Sequence, residues 1–87
     1  MSQAELLRAL DDAIMAARRL EMGGRVNQVH VRRLAEELVA RRAEVAAGQS
    51  LDREWAALTV RWVAGWLPDG ELPLLARLGA IVRAAGA

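Results

Sequence analysis

Apolar residues recur three and four positions apart along four stretches of this chain, and short turn signals separate the stretches. This spacing places the residues on one face of an α-helix. The four apolar stripes are Leu6, Leu7, Leu10, Ala13, Ile14, Ala17 and Leu20; then Val31, Leu34, Ala35, Leu38, Val39, Val45 and Ala46; then Leu51, Trp55, Leu58, Thr59, Trp62, Val63 and Trp66; and finally Leu74, Leu75, Leu78, Ile81, Val82 and Ala85. We predict helices over about 3–22, 28–47, 51–67 and 70–85. We predict no strand, because no stretch alternates apolar and polar residues.

Residues typical of helix ends flank the first predicted helix and open the second. Ser2 and Glu5 have the spacing of a capping box, which satisfies free N–H groups at a helix start. Gly23 and Gly24 are expected to end the first helix, because glycine adopts the left-handed backbone conformation without steric cost. Asn27 is expected to cap the second helix, since its side chain can accept a backbone hydrogen bond.

The later helix ends carry similar signals. Gly48 is expected to stop the second helix, and Ser50 to cap the third. Pro68, Asp69 and Gly70 form a strong turn signal, because proline disfavours helix at the residue before it and glycine closes the turn. Asp69 is also a candidate cap for the fourth helix.

The connections between the predicted helices are only about three to five residues long, which favours antiparallel neighbours. We therefore predict an all-α fold, a four-helix antiparallel bundle with up-down-up-down order, formed by residues 1–87 as a single domain. The main rival is an intertwined dimer in which helices pair across two chains. A dimer would bury apolar surface that a small monomer leaves exposed.

Composition narrows the functional classes. The 87 residues contain no cysteine and 54% hydrophobic residues, so oligomerisation or a partner is the available source of extra stability. The net charge is only +1, which does not predict an electrostatic grip on nucleic acid. The start of the chain lacks the pattern of a signal peptide, and no apolar run approaches the ~18 residues of a membrane span. We expect a cytoplasmic protein that binds no membrane.

Residues suited to catalysis are scarce. The only hydroxyl groups belong to Ser2, Ser50 and Thr59, and each has a structural explanation: two helix caps, and a hydrogen bond from Thr59 to the carbonyl one turn back. His30 is the only imidazole, and a lone histidine is a weak catalytic or metal-binding signal. We therefore predict no catalytic residue, no metal site and no cofactor, and keep a pH-sensing role for His30 as an alternative.

Three tryptophans are the chain's only aromatic residues besides His30, and they share one face of the third helix. Trp55, Trp62 and Trp66 project within about 40° of one another. One interpretation places them in the core, as is usual for tryptophan at helical spacing. The other makes them an interface or ligand groove, because tryptophan is enriched at binding hot spots and its N–H needs a partner.

Arginine supplies all the basic side chains, and Arg42 has the least ordinary position. It falls inside the apolar arc of the second helix, near the end of that helix. Its guanidinium either snorkels to solvent or forms a partly buried ion pair with an acid such as Asp11, or with an acid of a second subunit. We count Arg42 with the three tryptophans as a candidate partner-binding residue.

Other arginines have alternative interpretations. Arg18, Arg19 and Arg25 surround the first connection, where they could bind an anion or complement a helix C-terminus. The second helix is expected to neutralise much of its own charge through pairs four residues apart. Those pairs are Arg32 with Glu36, Arg33 with Glu37, and Glu37 with Arg41.

Three functional hypotheses follow. The leading one is a small non-enzymatic module or adaptor for protein–protein interaction or oligomerisation, whose partner is a second copy or another protein. The second is a nucleic-acid-binding or regulatory protein that uses arginines of the second helix, and the net charge of only +1 argues against it. The third is a small all-α enzyme whose arginines hold an anionic substrate and act by electrostatics alone.

Overall fold

Four α-helices and one short 3₁₀ turn account for the regular structure of residues 3–86, the part of the chain that the computed structural model describes. The helices are α1 (Gln3–Gly23), α2 (Gln28–Ala46), α3 (Arg53–Trp66) and α4 (Leu72–Gly86). The 3₁₀ turn is Asp69–Glu71. All four predicted helices are therefore confirmed, and residues 3–86 contain no strand. Ser2, half of the predicted capping box, lies outside the described residues.

Glycines end α1 and α2 as the sequence predicts. Gly24 and Gly48 have φ angles of +68° and +94°, in the left-handed region. At the end of α2, the Gly48 N–H donates to the Val45 carbonyl at 3.0 Å, and the Gln49 N–H donates to the Glu44 carbonyl at 3.0 Å. These two bonds form a Schellman motif, which satisfies carbonyls that the helix leaves free.

Asn27 caps α2 as predicted. Its Oδ1 accepts a hydrogen bond from the His30 N–H at 3.1 Å. Val26, just before the cap, and Val31, within the helix, are both buried. Their positions are those of a hydrophobic staple, which sets the angle at which the chain enters the helix.

The prediction that Ser50 caps the third helix is wrong. Asp52 is the cap, and its Oδ1 accepts hydrogen bonds from the Glu54 N–H at 2.9 Å and the Trp55 N–H at 3.2 Å. With Asp52 as cap, the buried Leu51 and Ala56 take the two staple positions, which Ser50 would not allow. The carboxylate also carries a charge that the helix N-terminus favours.

The start of the fourth helix also differs from the prediction. Asp69 opens a 3₁₀ turn instead of capping a helix at Gly70, and the Glu71 N–H closes this turn by donating to the Pro68 carbonyl at 3.0 Å. The α-helix begins only at Leu72. Pro73 then falls in the first turn, where its missing N–H would have had no helical acceptor.

Cross-helix contacts show that neighbouring helices run antiparallel. Along α1 the partners in α2 come in reverse order: the Gln3 side chain donates to the Val45 carbonyl, Asp11 pairs with Arg42, and Glu21 pairs with Arg32. Asp12 faces Arg77 of α4, and α3 also packs against α4. Thus α1 lies between α2 and α4, and α3 lies beside α4 on the side away from α1.

The four helices share one apolar core. Its fully or nearly fully buried members are Leu10, Ala13, Ala17, Val26, Val31, Leu34, Ala35, Leu38, Val45, Leu51, Ala56, Val63, Leu67, Leu74, Leu78 and Ile81. Most of each predicted stripe is buried or packed against this core. Three members are not: Val39 is 41% exposed, Leu58 is 51% exposed, and Ala46 is exposed. The buried face of α3 is centred on Ala56, Thr59 and Val63, and the tryptophans flank it.

Candidate functional site

Helices α2 and α3 are neighbours, but they stand unusually far apart. No Cα atom of α2 lies within 8 Å of a Cα atom of α3, whereas closely packed helices have axes 8–10 Å apart. The α1–α2, α1–α4 and α3–α4 pairs all make such close approaches. Long side chains therefore make the contacts between α2 and α3, and all three tryptophans take part in them.

His30 and two tryptophans form an aromatic cluster at one end of this space. The His30 ring centroid lies 5.4 Å from that of Trp62, at a steep angle, and 5.5 Å from that of Trp66. The two indoles are 5.3 Å apart with their planes at 68°. Such edge-to-face contacts match the charge distribution of aromatic rings. The lone histidine of the sequence is thus a packing partner for the tryptophans.

Trp55 is held in place by polar groups of α2. Its Nε1 donates to Glu37 Oε1 at 3.2 Å. The other oxygen of Glu37 lies 3.5 Å from Arg33 Nε, so the predicted Arg33–Glu37 pair is confirmed. The Arg41 guanidinium stacks over the Trp55 ring at 5.3 Å, in a cation–π contact. Glu37 therefore joins an arginine and an indole in one polar network.

The other two predicted pairs within α2 are wrong. Arg32 pairs with Glu21 of α1 at 3.0 Å, not with Glu36. Arg41 pairs with Glu44 at 2.9 Å, not with Glu37. Arg32 takes an acid of the adjacent helix α1. Glu37 is already occupied by Arg33 and by the Trp55 Nε1–H, so Arg41 pairs with Glu44 of its own helix instead.

A groove of about 280 Å³ opens at the surface between α2 and α3. We call it the α2–α3 groove, and it is lined by Arg33, Glu37, Trp55, Leu58, Thr59 and Trp62. Leu58 stands at its edge with 51% of its surface exposed, while both tryptophans are only partly buried. The predicted bond from the Thr59 hydroxyl to the Trp55 carbonyl is confirmed at 2.7 Å. The groove is thus an aromatic and aliphatic surface with a polar rim.

The structure supports elements of both interpretations of the tryptophan stripe. Trp55, Trp62 and Trp66 all pack against the core. Trp55 and Trp62 also line the groove, whereas Trp66 does not. The Trp66 Nε1 atom is buried and has no hydrogen-bond partner among residues 3–86. Two of the three indoles are therefore placed where an incoming molecule could touch them.

Arg42 does not belong to the groove. Its Nε lies 2.7 Å from Asp11 Oδ1, and its Nη2 lies 3.4 Å from Asp11 Oδ2. This confirms the ion-pair interpretation over snorkelling. The hydrogen bond to Asp11 and the charge of that carboxylate raise the pKa of Arg42 above its ordinary value. Because the guanidinium is engaged within the chain, Arg42 ties α2 to α1.

The three candidate anion-binding arginines do not share a cleft. Arg19 lines a cleft of about 310 Å³ between α1 and α4, together with Asp12, Met15, Ala16, Leu20, Glu71, Pro73, Leu74 and Arg77. Arg18 and Arg25 are exposed and are not part of this lining. Two acidic side chains balance the two basic ones there, and Arg77 already faces Asp12 at 3.9 Å.

No protein-family model matches this chain, and no curated protein or solved structure matches it significantly. Among residues 3–86, no three His, Asp or Glu side chains converge in a way that could hold a metal ion. Within the same range, no helix combines the length and apolar character that crossing a membrane requires. The side chains of the α2–α3 groove are therefore the basis for a functional proposal.

Sequence reasoning missed two members of this site. The sequence pattern assigns His30 no partner and pairs Glu37 only with arginines of its own helix. An antiparallel α2–α3 pair places the first turn of α2 opposite the last turn of α3, so the order of the bundle by itself brings His30 near Trp66. That relation was the available signal in the sequence.

Proposed function

We propose that this protein is a non-enzymatic helical interaction module that docks a protein partner through the α2–α3 groove. The observation that carries the proposal is the pair of partly exposed indoles, Trp55 and Trp62, beside the half-exposed Leu58. Tryptophan dominates binding hot spots because a rigid, largely apolar ring gains much from losing its water contacts. A cytoplasmic location belongs to the same proposal.

The rim of the groove supports this proposal. Arg33 and Glu37 border the indoles, and the Arg33 guanidinium stacks over Trp62 at 5.6 Å. An apolar centre with a polar rim is the usual anatomy of a protein–protein interface, and arginine is enriched there. The rim also shields the groove from non-specific association, because a partner must match its charges.

The arginines of α2 do not favour the nucleic-acid hypothesis. All four form ion pairs within the chain: Arg32 with Glu21, Arg33 with Glu37, Arg41 with Glu44, and Arg42 with Asp11. Binding to phosphates would require these arginines to exchange their carboxylate partners. Nucleic-acid binding draws most of its affinity from uncompensated positive charge, which α2 lacks.

A photocrosslinker in the groove tests the proposal without assuming a partner. We would replace Leu58 by p-benzoylphenylalanine and irradiate cells of the native host that express the variant. Leu72 is the matched control, because it is the same residue type with 61% exposure and is not part of the groove lining. We expect an adduct of defined mass from position 58 and none of that mass from position 72.

The crosslinking result at position 58 distinguishes docking at the groove from the absence of docking. A discrete adduct at position 58 supports docking at the groove, whatever the partner is. If position 58 yields no adduct, or the same adducts as position 72, the groove is not a docking site. The mass of the adduct then distinguishes a second copy of the chain from a different protein.

A further inference from the structure

The outer surface of α3 continues the groove and carries a simple pattern of charge. Glu54, Leu58, Arg61 and Gly65 lie four, three and four residues apart, so they form a stripe about 60° wide. All four are exposed. Along the helix, the stripe therefore presents an acidic, an apolar, a basic and a small residue in that order.

The two charged members of this stripe have no ion-pair partner within residues 3–86, although each of the four arginines of α2 has one. Glu54 and Arg61 are seven residues apart, and Leu58 lies between them. Two helical turns separate the charges by about 10 Å, which is too far for them to pair with each other. Both charges are thus available to another molecule.

We propose that the occupant of this face is a second copy of the chain, with the two α3 helices antiparallel about a two-fold axis near Leu58. This inference rests on the proposed function and names its partner. In this arrangement Glu54 faces the partner's Arg61, and Arg61 faces the partner's Glu54. A two-fold interface is self-complementary, so one pair of charges generates two ion pairs.

The charge order also excludes the parallel alternative. In a parallel pair of α3 helices, Glu54 would face the partner's Glu54 and Arg61 the partner's Arg61. Like charges opposite one another disfavour a complex and so select the orientation. Ala57 and Ala64 border this stripe on one side and Gly65 lies within it, so these small residues allow two helices to approach closely.

The available surface implies a modest affinity. Helix α3 has 14 residues and is therefore about 21 Å long. A stable interface buries about 800 Å² per partner, which would be about 15% of the 5392 Å² surface of this chain. The α3 stripe and the adjoining groove wall together form a short interface. We expect a dimer that dissociates in the micromolar range, where Leu58 and Trp62 lose contact with water on association.

Reversing one charge at a time tests the pairing. We would measure the dimer dissociation constant by sedimentation equilibrium from about 5 to about 500 μM for the wild type, E54R and R61E. Each single reversal creates two like-charge contacts in the dimer, so we expect about tenfold weaker association. Mixing the two variants restores both opposite-charge contacts, so the mixture is expected to form a heterodimer with near wild-type affinity.

A matched control removes the effect of overall charge. Arg8 is exposed on α1, and R8E has the same net charge as R61E, since each reversal changes the wild-type value of +1 by two units. R8E is expected to dimerise like the wild type, and its mixture with E54R is expected to associate less well than the mixture of E54R with R61E. Recovery on mixing also shows that both single variants are folded.

Three results would overturn the inference: a monomeric wild type at all concentrations, no recovery on mixing, or equal recovery with R8E. None of them contradicts the proposed function by itself. The proposed function fails when the crosslinker at position 58 gives no discrete adduct. A discrete adduct with a heavier protein, together with a monomeric wild type, would retain the docking site and remove the second copy as its occupant.

Discussion

At the scale of single residues, the indole N–H groups of Trp55 and Trp66 have opposite surroundings. Trp55 Nε1 donates to Glu37 at 3.2 Å, whereas Trp66 Nε1 is buried with no acceptor among residues 3–86. A buried donor without an acceptor costs about 1–3 kcal/mol relative to its hydrated state. The indole N–H therefore stabilises the fold at Trp55 and destabilises it at Trp66.

Replacing each of these tryptophans by phenylalanine should separate the two cases. Both changes replace an indole by a smaller phenyl ring, so the loss of ring volume is the same. Trp55→Phe also removes a hydrogen bond, whereas Trp66→Phe removes a donor that has no acceptor. We expect Trp55→Phe to lower the free energy of unfolding by about 1–2 kcal/mol more than Trp66→Phe does. Urea unfolding followed by circular dichroism measures both values. Equal losses, or a larger loss at Trp66, would contradict this account.

The pairing of Trp55 with Glu37 could not be predicted from the sequence. Helical spacing was enough to place the three tryptophans on one face, and that expectation is confirmed. The partner of each indole depends on how far α2 slides along α3. The connection over residues 47–52 leaves that register open, so side-chain packing decides it.

At the scale of helical elements, the sequence predicts a helix end correctly where one residue type determines that end. Asn27, the pair of Gly23 and Gly24, and Gly48 are unopposed terminal signals in the sequence, and each marks a helix end as predicted. At the start of α3 the prediction was Ser50, whereas Asp52, a residue of similar intrinsic capping ability, is the cap. The burial of Leu51 and Ala56 decides between them, and burial is a property of the folded bundle.

Alanine substitutions at the two candidate caps should therefore differ. Asp52→Ala removes the acceptor for the Glu54 and Trp55 N–H groups, so we expect a loss of about 1 kcal/mol in the free energy of unfolding. Ser50→Ala changes an exposed residue outside the helix, so we expect a change within about 0.5 kcal/mol. Thermal and urea unfolding of the two variants provide the measurement. A larger loss from Ser50→Ala would restore serine as the cap.

At the scale of the whole molecule, the helices are unequally supported. Helix α1 packs closely against both α2 and α4, whereas α3 packs closely only against α4. On its other side, α3 meets α2 through long side chains and an open groove. Four helices and their antiparallel order followed from the sequence pattern. The position of the opening did not, because it depends on the summed volume of the side chains that face each other across one particular pair.

Amide hydrogen exchange should reveal this difference in support. Segments with fewer close contacts open at a lower free-energy cost than the rest of a domain. In the monomeric state we expect the amides of α3 to exchange faster than those of α1 that face the core, such as Leu10 and Ala13. NMR-detected exchange of the E54R variant, below its association range, measures both sets. Equal protection of α3 and α1 would show that the groove does not weaken this side of the bundle.

The close contact between Trp62 and Trp66 has an optical consequence. Their ring centroids are 5.3 Å apart and their planes meet at 68°, so the electronic transitions of the two indoles couple. This coupling adds an exciton band to the far-ultraviolet dichroism, on top of the signal from the helical backbone. The ellipticity near the usual helical minimum therefore contains both the backbone signal and the indole signal in this protein. The indole band gives a spectroscopic reporter for separation of the two rings, even when every helix stays intact.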